Sequence, residues 1–174
     1  NKKQGSYHCH RGQLAGQEFS SKAEAQNALH GGEKIPDGTI KGVARVVDGD
    51  TIHIGKIKIR LWAIDAPETK QECHRDGQPW KCGVAATEHL SMFIGSKSVT
   101  CEDRGTDRYK RMIGKCMVGT LDLGAEMITT GMALPYWEYG GDYYQQAFRE
   151  ARGQEVGMFA GTFVPPWEWR KERK

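Results

Sequence analysis

Alternating apolar and polar residues predict five strands in the middle of the chain. Across Lys56–Leu61 charged and apolar residues alternate strictly, the pattern of a strand with one buried face. Thr51–Ile54 alternates in the same way, and the valines of Val43–Val47 supply a strand before it. Ser98–Cys101 and Lys115–Val118 are predicted to form an antiparallel pair joined by a turn-rich segment.

Helical spacing of apolar residues predicts three helices. Gly83–Ile94 carries an apolar stripe, and Gly124–Leu134 is a shorter second helix. A third helix is capped by Asp142, and its apolar face is formed by Tyr144, Ala147, Phe148 and Ala151. The prolines of Phe163–Trp167 predict an apolar flap that is not helical. This order of elements indicates an α+β fold, a five-stranded OB-fold β-barrel with three helices.

The first 34 residues differ from the rest and predict an N-terminal arm before a domain that spans residues 35–174. The arm contains the segment Tyr7–His10 and a short alanine-rich helix over Lys22–Leu29. His8 and His10 would share one face of a strand, which permits a metal site, although a structural arm is the favoured interpretation. The chain opens without Met or an apolar leader, for which we expect either a removed signal peptide or a shortened N-terminus.

Composition excludes a disordered chain and a membrane-spanning one. Of the 174 residues 38% are hydrophobic and 27% are charged. The longest apolar run is Leu61–Ile64, far short of the about 20 residues of a transmembrane helix, so we expect no membrane association. The net charge of +3 is too small to indicate nucleic-acid binding by itself. The charged tail Arg170–Lys174 is predicted to be a solvated surface.

The cysteines indicate two disulfide bonds. Strand pairing would place Cys101 opposite Cys116, and a bond between Cys73 and Cys82 would close the polar loop between them. The alternative is four buried free thiols, as in many cytosolic enzymes. Disulfides predict an oxidising compartment, secreted or periplasmic, with Cys9 left over.

Two acidic segments carry the candidate chemistry. Asp48–Thr51, an Asp-Gly sequence between β-branched runs, by itself indicates only a hairpin turn or a bulge. The following segment, Arg60–Thr69, places an arginine at a strand end and carboxylates at the turn made by Pro67. This arrangement would bring Asp50 and Asp65 together at one rim of the barrel.

The residue types on this rim are typical of metal-assisted chemistry on phosphates. Two carboxylates with carbonyl and water oxygens suit a hard cation, Ca²⁺ or Mg²⁺, because neither thiolate nor imidazole contributes. Glu68 would be free to act on a water, and the planar guanidinium of Arg60 suits a phosphate. Thr106–Arg111 places cations around Tyr109, a composition that suits a nucleotide's phosphate and base.

Taken in order, these segments resemble the staphylococcal nuclease (thermonuclease) family. The resemblance extends from about Thr39 to about Gly161, and that family's fold is an OB barrel with three helices. The segments that carry it are Asp48–Thr51, Arg60-Leu61, Asp65–Lys70 and Thr106–Arg111. The positions that match the family's functional residues are Asp50, Asp65 and Ala66 for calcium, Arg60, Glu68 and Arg111 for catalysis, and Arg108 and Tyr109 for the nucleotide's phosphate and sugar.

Two positions depart from the family's pattern, and two others are candidates for a further contact with the base. Ala66 stands where the staphylococcal type has a threonine, but a backbone carbonyl ligand survives that change. Lys110 stands where a glycine is usual, so the turn before Arg111 is expected to differ. Trp137 and Tyr139 are the candidates for an aromatic platform under the base, the alternative being that both are core aromatics.

The resemblance implies a calcium-dependent, sugar-nonspecific phosphodiesterase that hydrolyses DNA and RNA and leaves 3′-phosphates. We expect a monomer that prefers single strands or frayed duplex, because binding through phosphate charge and base stacking favours unstacked bases. The alternative is a non-catalytic module on the same scaffold that binds nucleic acid or protein. A third possibility is an enzyme on this scaffold with a physiological role outside nucleic acids, such as an envelope-associated factor.

Overall fold

The computed structural model describes residues 37–174, together with three short strands before them. Its strands are β1 (Tyr7–His8), β2 (Glu18–Phe19), β3 (Glu33–Lys34), β4 (Thr39–Asp48), β5 (Thr51–Ile54), β6 (Ile57–Leu61), β7 (Ile64–Asp65), β8 (Cys73–Arg75), β9 (Gln78–Trp80), β10 (Ser98–Thr106), β11 (Met112–Val118), β12 (Leu121–Asp122) and β13 (Leu134–Pro135). Its α-helices are α1 (Cys82–Ile94), α2 (Leu123–Thr129), α3 (Gln145–Gly153) and α4 (Pro166–Lys171). Short 3-10 turns cover Trp137–Tyr139, Gly141–Tyr144 and Gly157–Ala160.

A closed five-stranded barrel forms the centre of the fold. Strand β10 pairs with both β11 and β4, which closes the series β4, β5, β6, β11 and β10. Strands β6 and β11 run parallel, and the other neighbours run antiparallel. Every second residue of β11, from Met112 to Val118, is buried, because alternate side chains of a strand face the barrel interior. The predicted five-stranded barrel is confirmed.

The helices begin and end differently from their predicted limits. Helix α1 begins one residue earlier than predicted. Helix α2 ends at Thr129 and not at Leu134, and Gly131, just beyond its end, adopts a left-handed conformation at φ +70°. The expected cap of α3 by Asp142 is wrong, because a 3-10 turn precedes that helix and Tyr144 occupies its N-cap position. Helices α1 and α2 pack on the barrel and on each other.

The expectation that the proline-rich tail contains no helix is wrong for its last residues. Helix α4 begins at Pro166, since a proline in the first turn lacks an N–H that would otherwise remain unpaired. Pro165 before it is extended, with φ −53° and ψ 140°. The domain therefore carries a fourth, short helix beside the three predicted.

Both predicted disulfides are confirmed. Cys101 and Cys116 face each other in the β10–β11 register and are bonded, 15 residues apart in sequence. Cys73 on β8 is bonded to Cys82 at the start of α1, nine residues away, and the segment between them forms the β8–β9 hairpin. All four cysteines are buried. The first bond links two neighbouring strands of the barrel, and the second links the β8–β9 hairpin to α1.

The N-terminal arm is described only in part. The expected helix over Lys22–Leu29 and the side chains of His8 and His10 lie outside the described residues, as does Cys9. Strand β1 pairs with β2, and β3 pairs with the start of β4. The boundary near residue 35 stays a prediction. None of the helices within the described part of the chain is long and apolar enough to cross a membrane.

Candidate active site

The acidic turn between β4 and β5 holds one carboxylate in a fixed position. Asp50 Oδ2 accepts a hydrogen bond from the Ala66 N–H at 2.9 Å, and its Oδ1 accepts one from the Thr51 hydroxyl at 3.1 Å. The Asp50 N–H donates to Asp48 Oδ1 at 3.1 Å. Only 11% of the Asp50 side chain is exposed, so its carboxylate sits at the rim with little freedom to turn.

A tight turn after β6 returns the chain so that Asp65 faces Arg60. Ala63, at φ +64°, adopts the left-handed conformation between β6 and β7. Arg60 Nη1 donates to the Ile64 carbonyl and Nη2 donates to Asp65 Oδ1, both at 3.1 Å. Arg60 Nη2 also lies 3.6 Å from Asp50 Oδ2. Asp50 and Asp65 therefore meet at one rim of the barrel, with the Arg60 guanidinium between them.

Two glycines let these loops pack closely on helix α1. A Cβ at Gly49 would lie 2.7 Å from the Ala66 Cβ and 2.8 Å from the Ala86 Cβ. A Cβ at Gly83 would overlap the carbonyl oxygen of Glu68. Gly49 is therefore required by its close contact with neighbouring side chains, whereas the sequence indicated it only as a turn residue.

Asp50, Arg60 and Asp65 form a charged cluster at the rim of the barrel. Glu68 lies at the mouth of this rim cluster, and a buried glutamine holds its backbone. The Glu68 N–H donates to Gln71 Oε1 at 3.2 Å, and Gln71 Nε2 donates to the Val164 carbonyl at 2.6 Å. Gln71 is fully buried, whereas 34% of the Glu68 side chain is exposed. The Glu68 carboxylate is therefore accessible to water while its backbone is fixed.

A further cation reaches the cluster from helix α4. Arg170 Nη2 donates to Asp65 Oδ2 at 2.8 Å, and Nη1 donates to Asp65 Oδ1 at 3.0 Å. Arg170 Nη1 also donates to Glu68 Oε1 at 2.8 Å. The prediction of a solvated tail is wrong for Arg170, because the fully buried carboxylate of Asp65 requires charged partners.

The loop between β10 and β11 is organised around Asp107. Asp107 Oδ1 accepts hydrogen bonds from the N–H groups of Tyr109 at 2.9 Å and Arg111 at 3.0 Å, and Oδ2 accepts from Arg111 Nε at 2.7 Å. Burial opposes ionisation of Asp107, but the bonds from Arg111 hold its pKa below the usual range. Lys110 adopts the left-handed conformation at φ +61°, at the position where a glycine is usual in the family it resembles.

Two arginines of this loop lie over the exposed ring of Tyr109. The guanidinium carbons of Arg108 and Arg111 lie 4.8 Å and 5.4 Å from the ring centroid, and 63% of Tyr109 is exposed. Among the described residues Arg111 forms its ion pair with Asp107, within its own loop, and not with the carboxylates at the rim. The side chain of Arg111 is therefore held by residues of its own loop, Asp107 and Tyr109.

Tyr136 is the aromatic residue that contacts the cluster. Arg60 Cζ lies 5.2 Å from the centroid of the Tyr136 ring, and Trp167 stacks on that ring at 5.9 Å. Trp137 packs edge-on against a phenylalanine of α3 at 5.4 Å, and Tyr139 packs against Tyr136 at 4.7 Å. Trp137 and Tyr139 are 40% and 57% exposed, so their role as a base platform stays a prediction.

Sequence reasoning missed Gln71, Tyr136 and Arg170. Tyr136 belongs to the same aromatic segment as the two predicted platform residues, so composition was a signal for it. Gln71 bonds to Val164, 93 residues away, and Arg170 bonds to Asp65, 105 residues away, and no local sequence pattern marks such contacts.

Burial and mutual repulsion separate the pKa values of three neighbouring aspartates. Burial, reinforced by the charge of Asp50, raises the pKa of Asp48 to about 7. Burial likewise raises the pKa of Asp65 to about 6. Burial also opposes ionisation of Asp50, but the Arg60 guanidinium and hydrogen bonds outweigh it and hold the pKa of Asp50 below its usual range.

The raised pKa of Asp48 predicts how stability depends on pH in the metal-free protein. Its folded-state pKa of about 7 lies above the ordinary value of 3.8, so the folded protein binds this proton more tightly than the unfolded chain. The resulting stabilisation is present below pH 4 and is lost as the pH rises towards 7. We expect Asp48 to lower the free energy of unfolding by about 2 kcal/mol between pH 5 and pH 7.5.

Urea unfolding in the presence of a chelator measures this dependence. The Asp48→Asn variant should lose less stability than the wild type over that range, because an amide does not titrate. Asp142→Asn, which changes an exposed aspartate, serves as the control and should behave like the wild type. If the free energy of unfolding depended on pH equally in the wild type and in Asp48→Asn, the prediction would be contradicted.

The donor chemistry of the cluster fits a hard divalent cation. The carboxylates of Asp50 and Asp65 both face the guanidinium of Arg60. The guanidinium of Arg170 forms ion pairs with Asp65 and Glu68, so this cluster already binds positive charge. Within residues 37–174 no three His, Cys, Asp or Glu side chains are grouped so that they could hold a metal by themselves. A calcium ion, with six to eight oxygen ligands, would therefore need backbone and water oxygens in addition.

Comparison with known proteins assigns the chain to a family. The model of the staphylococcal nuclease homologue family matches residues 58–160. An uncharacterized endonuclease of Escherichia coli O157:H7 is 34% identical over 138 residues, which cover 75% of this chain and 84% of the relative. The micrococcal nuclease of Shigella flexneri is 30% identical over 149 residues, covering 76% and 80%.

A relative with a different kind of name also matches. The succinoglycan biosynthesis protein ExoI of Rhizobium meliloti is 32% identical over 123 residues, which cover 69% of this chain and 64% of that protein. The family model covers the barrel strands from β6 onwards, the three longer helices and both predicted catalytic arginines. With its closed barrel and its acidic rim, the chain belongs to the family of staphylococcal nuclease homologues.

Proposed function

We propose that this protein is a calcium-dependent, sugar-nonspecific nuclease that hydrolyses phosphodiester bonds of DNA and RNA and leaves 3′-phosphates. The observation that carries the proposal is the rim cluster, in which Arg60 lies between the carboxylates of Asp50 and Asp65 and Glu68 stands at the mouth. Relatives that carry nuclease names support the same activity.

Glu68, Arg60 and Arg111 have different roles in hydrolysis. Glu68 takes a proton from the attacking water, or orients that water, because its carboxylate is the accessible one of the cluster. Arg60 holds the scissile phosphate and stabilises the charge that grows on it, a role that Arg111 shares from its own loop. The water oxygen bonds to phosphorus and the bond to the 5′-oxygen breaks, which yields a 3′-phosphate and a 5′-hydroxyl.

Asp50, Asp65 and the carbonyl of Ala66 would hold the calcium ion. When bound, it supplies Lewis-acid activation and a template for the phosphate. Thiolate and imidazole are missing from this donor set, which therefore suits calcium better than zinc.

Substrate is recognised through phosphate charge and base stacking. Arg108 and Tyr109 form an exposed pair of a cation and a ring, which suits a nucleotide's phosphate and sugar. Trp137 and Tyr139 offer partly exposed rings for stacking. Neither kind of contact reads base edges, so little sequence preference and a preference for single strands are expected.

The two disulfides support a secreted or periplasmic location. Both bonds are buried in the fold, and such bonds form and persist in oxidising compartments.

Incubation with plasmid, linear single-stranded DNA and RNA tests the function. Each substrate is offered with calcium or with a chelator, beside Glu68→Gln as the matched variant of low activity. We expect cleavage of all three substrates with calcium only, and product ends that a polymerase extends only after phosphatase treatment. Binding without cleavage under any condition would favour the non-catalytic module, and equal rates with calcium and chelator would contradict the metal assignment.

A further inference from the structure

Helix α4 is anchored beside the rim at two points. The buried side chain of Gln71 donates to the Val164 carbonyl just before the helix. Inside the helix, Trp167 stacks on Tyr136 with their rings 6° from parallel, and Tyr136 in turn lies against Arg60. Gln71 also holds the backbone of Glu68, and Tyr136 contacts Arg60, so the position of α4 is tied to the site.

The anchored helix directs one guanidinium onto two carboxylates. Arg170 reaches both oxygens of Asp65 through separate nitrogens, and one of these nitrogens also reaches Glu68. This two-pronged contact is the strongest common geometry between a guanidinium and a carboxylate. The Asp65 side chain is fully buried, whereas 32% of the Arg170 side chain is exposed, so the arginine is the partner with room to move.

The two Asp65 oxygens that Arg170 contacts are oxygens that a divalent cation at this site would use. Arg60 and Arg170 place two positive charges against the carboxylates of Asp50, Asp65 and Glu68. A second cation bound to Asp65 meets the repulsion of the Arg170 guanidinium and must replace its hydrogen bonds. Two ligands that require the same atoms weaken each other's binding by the same factor.

We propose that Arg170 is the resident cation of this site, and that a divalent ion binds Asp50 and Asp65 only in exchange for the Arg170 guanidinium. This inference rests on the proposed function, because it concerns the ion which that function requires. The exchange makes α4 an internal antagonist of metal binding. The charge of Asp65 and Glu68 is compensated at low calcium, and the two carboxylates become available when calcium is abundant.

Calorimetric titration with calcium alone tests the exchange. Wild-type protein and Arg170→Gln are titrated at pH 8, well above the pKa of about 6 that burial gives Asp65. Removal of the competing guanidinium should lower the calcium Kd by at least about tenfold, equivalent to about 1.4 kcal/mol. Arg170→Lys retains a charge without the two-pronged contact and should give an intermediate Kd.

A neighbouring arginine provides the matched control. Arg173 lies two residues beyond the end of α4, and it contacts Glu172 and the ring of Trp169 rather than the rim. Arg173→Gln removes the same formal charge and should leave the calcium Kd unchanged. The difference between the two glutamine variants therefore measures contact with the carboxylates and not the overall charge of the tail.

The possible outcomes separate this inference from the proposed function. A calcium Kd that is unchanged or weaker in Arg170→Gln would overturn the exchange and leave the metal site intact. Absence of calcium binding in the wild type and in every variant would overturn both the metal site and the exchange. If Arg170→Gln does not fold, a Kd for Arg170→Lys equal to that of the wild type overturns the exchange, and a tighter one supports it.

Discussion

Replacement of Arg60 by alanine should reduce the single-turnover rate of cleavage by about 10²–10³-fold, or about 3–4 kcal/mol. Arg60 is the only cation placed between Asp50 and Asp65 by the barrel itself in the described part of the chain, and 14% of its side chain is exposed. A preorganised guanidinium in such a site stabilises charge on the transition state far more than it would in water.

Folding must be controlled for in this experiment. Loss of Arg60 leaves two buried carboxylates facing each other, and a buried charge left without its partner typically costs about 3–5 kcal/mol of stability. Unfolding of each variant is therefore measured with saturating calcium, the condition of the assay. Arg60→Lys retains the charge but loses the planar fork, so its rate should recover only in part.

An exposed arginine of α3 provides the comparison for charge alone. Arg149→Ala removes the same formal charge from the surface and should cleave at the wild-type rate. Arg111→Ala should also lose at least about 10²-fold in rate. It should weaken binding of a short oligonucleotide as well, because Arg111 shares its loop with Arg108 and Tyr109. Wild-type turnover in a folded Arg60→Ala protein would remove the basis of the nuclease assignment.

Glu68→Gln should lower the maximal rate by about 10²–10³-fold while leaving substrate affinity nearly unchanged. Glutamine retains the shape of the side chain and an oxygen that can accept the hydrogen bond from Arg170, but it cannot take a proton from water. The change therefore removes the base without removing a contact to the phosphate.

Single-turnover cleavage and equilibrium binding of the same oligonucleotide distinguish these effects. Glu72→Gln, an exposed glutamate four residues further along the same loop, is the control and should behave like the wild type. A variant at Glu68 with weakened binding and a normal rate would show that this carboxylate acts in binding or structure and not in activating water.

Periodic patterns in the sequence were sufficient to predict the barrel. Strict alternation across Lys56–Leu61 predicted β6, and burial of every second residue in β11 follows the same rule. The bond between Cys101 and Cys116 was predictable because a cross-strand pair follows from the register of two strands joined by one turn. These features depend on neighbours in sequence, and the physical preference that produces each of them is local.

Helix limits and the proline tail were less predictable. Helix α4 begins at Pro166, although the same two prolines indicated a flap without helix. A proline ends a helix that precedes it but is tolerated in a first turn, so its position relative to the helix decides its effect. Packing of Trp167 on Tyr136, which no sequence pattern marks, accompanies the helical outcome.

The sequence was sufficient to predict the acidic residues of the site, but only the tertiary structure showed which cations surround them. Asp50, Arg60, Asp65 and Glu68 lie within 19 consecutive residues, and short turns bring them together. Arg170 lies 105 residues beyond Asp65, and its contact exists only because α4 packs beside the rim. Opposite charges attract without any fixed separation along the chain, so composition predicts that a buried carboxylate has a cationic partner and only packing decides which cation it is.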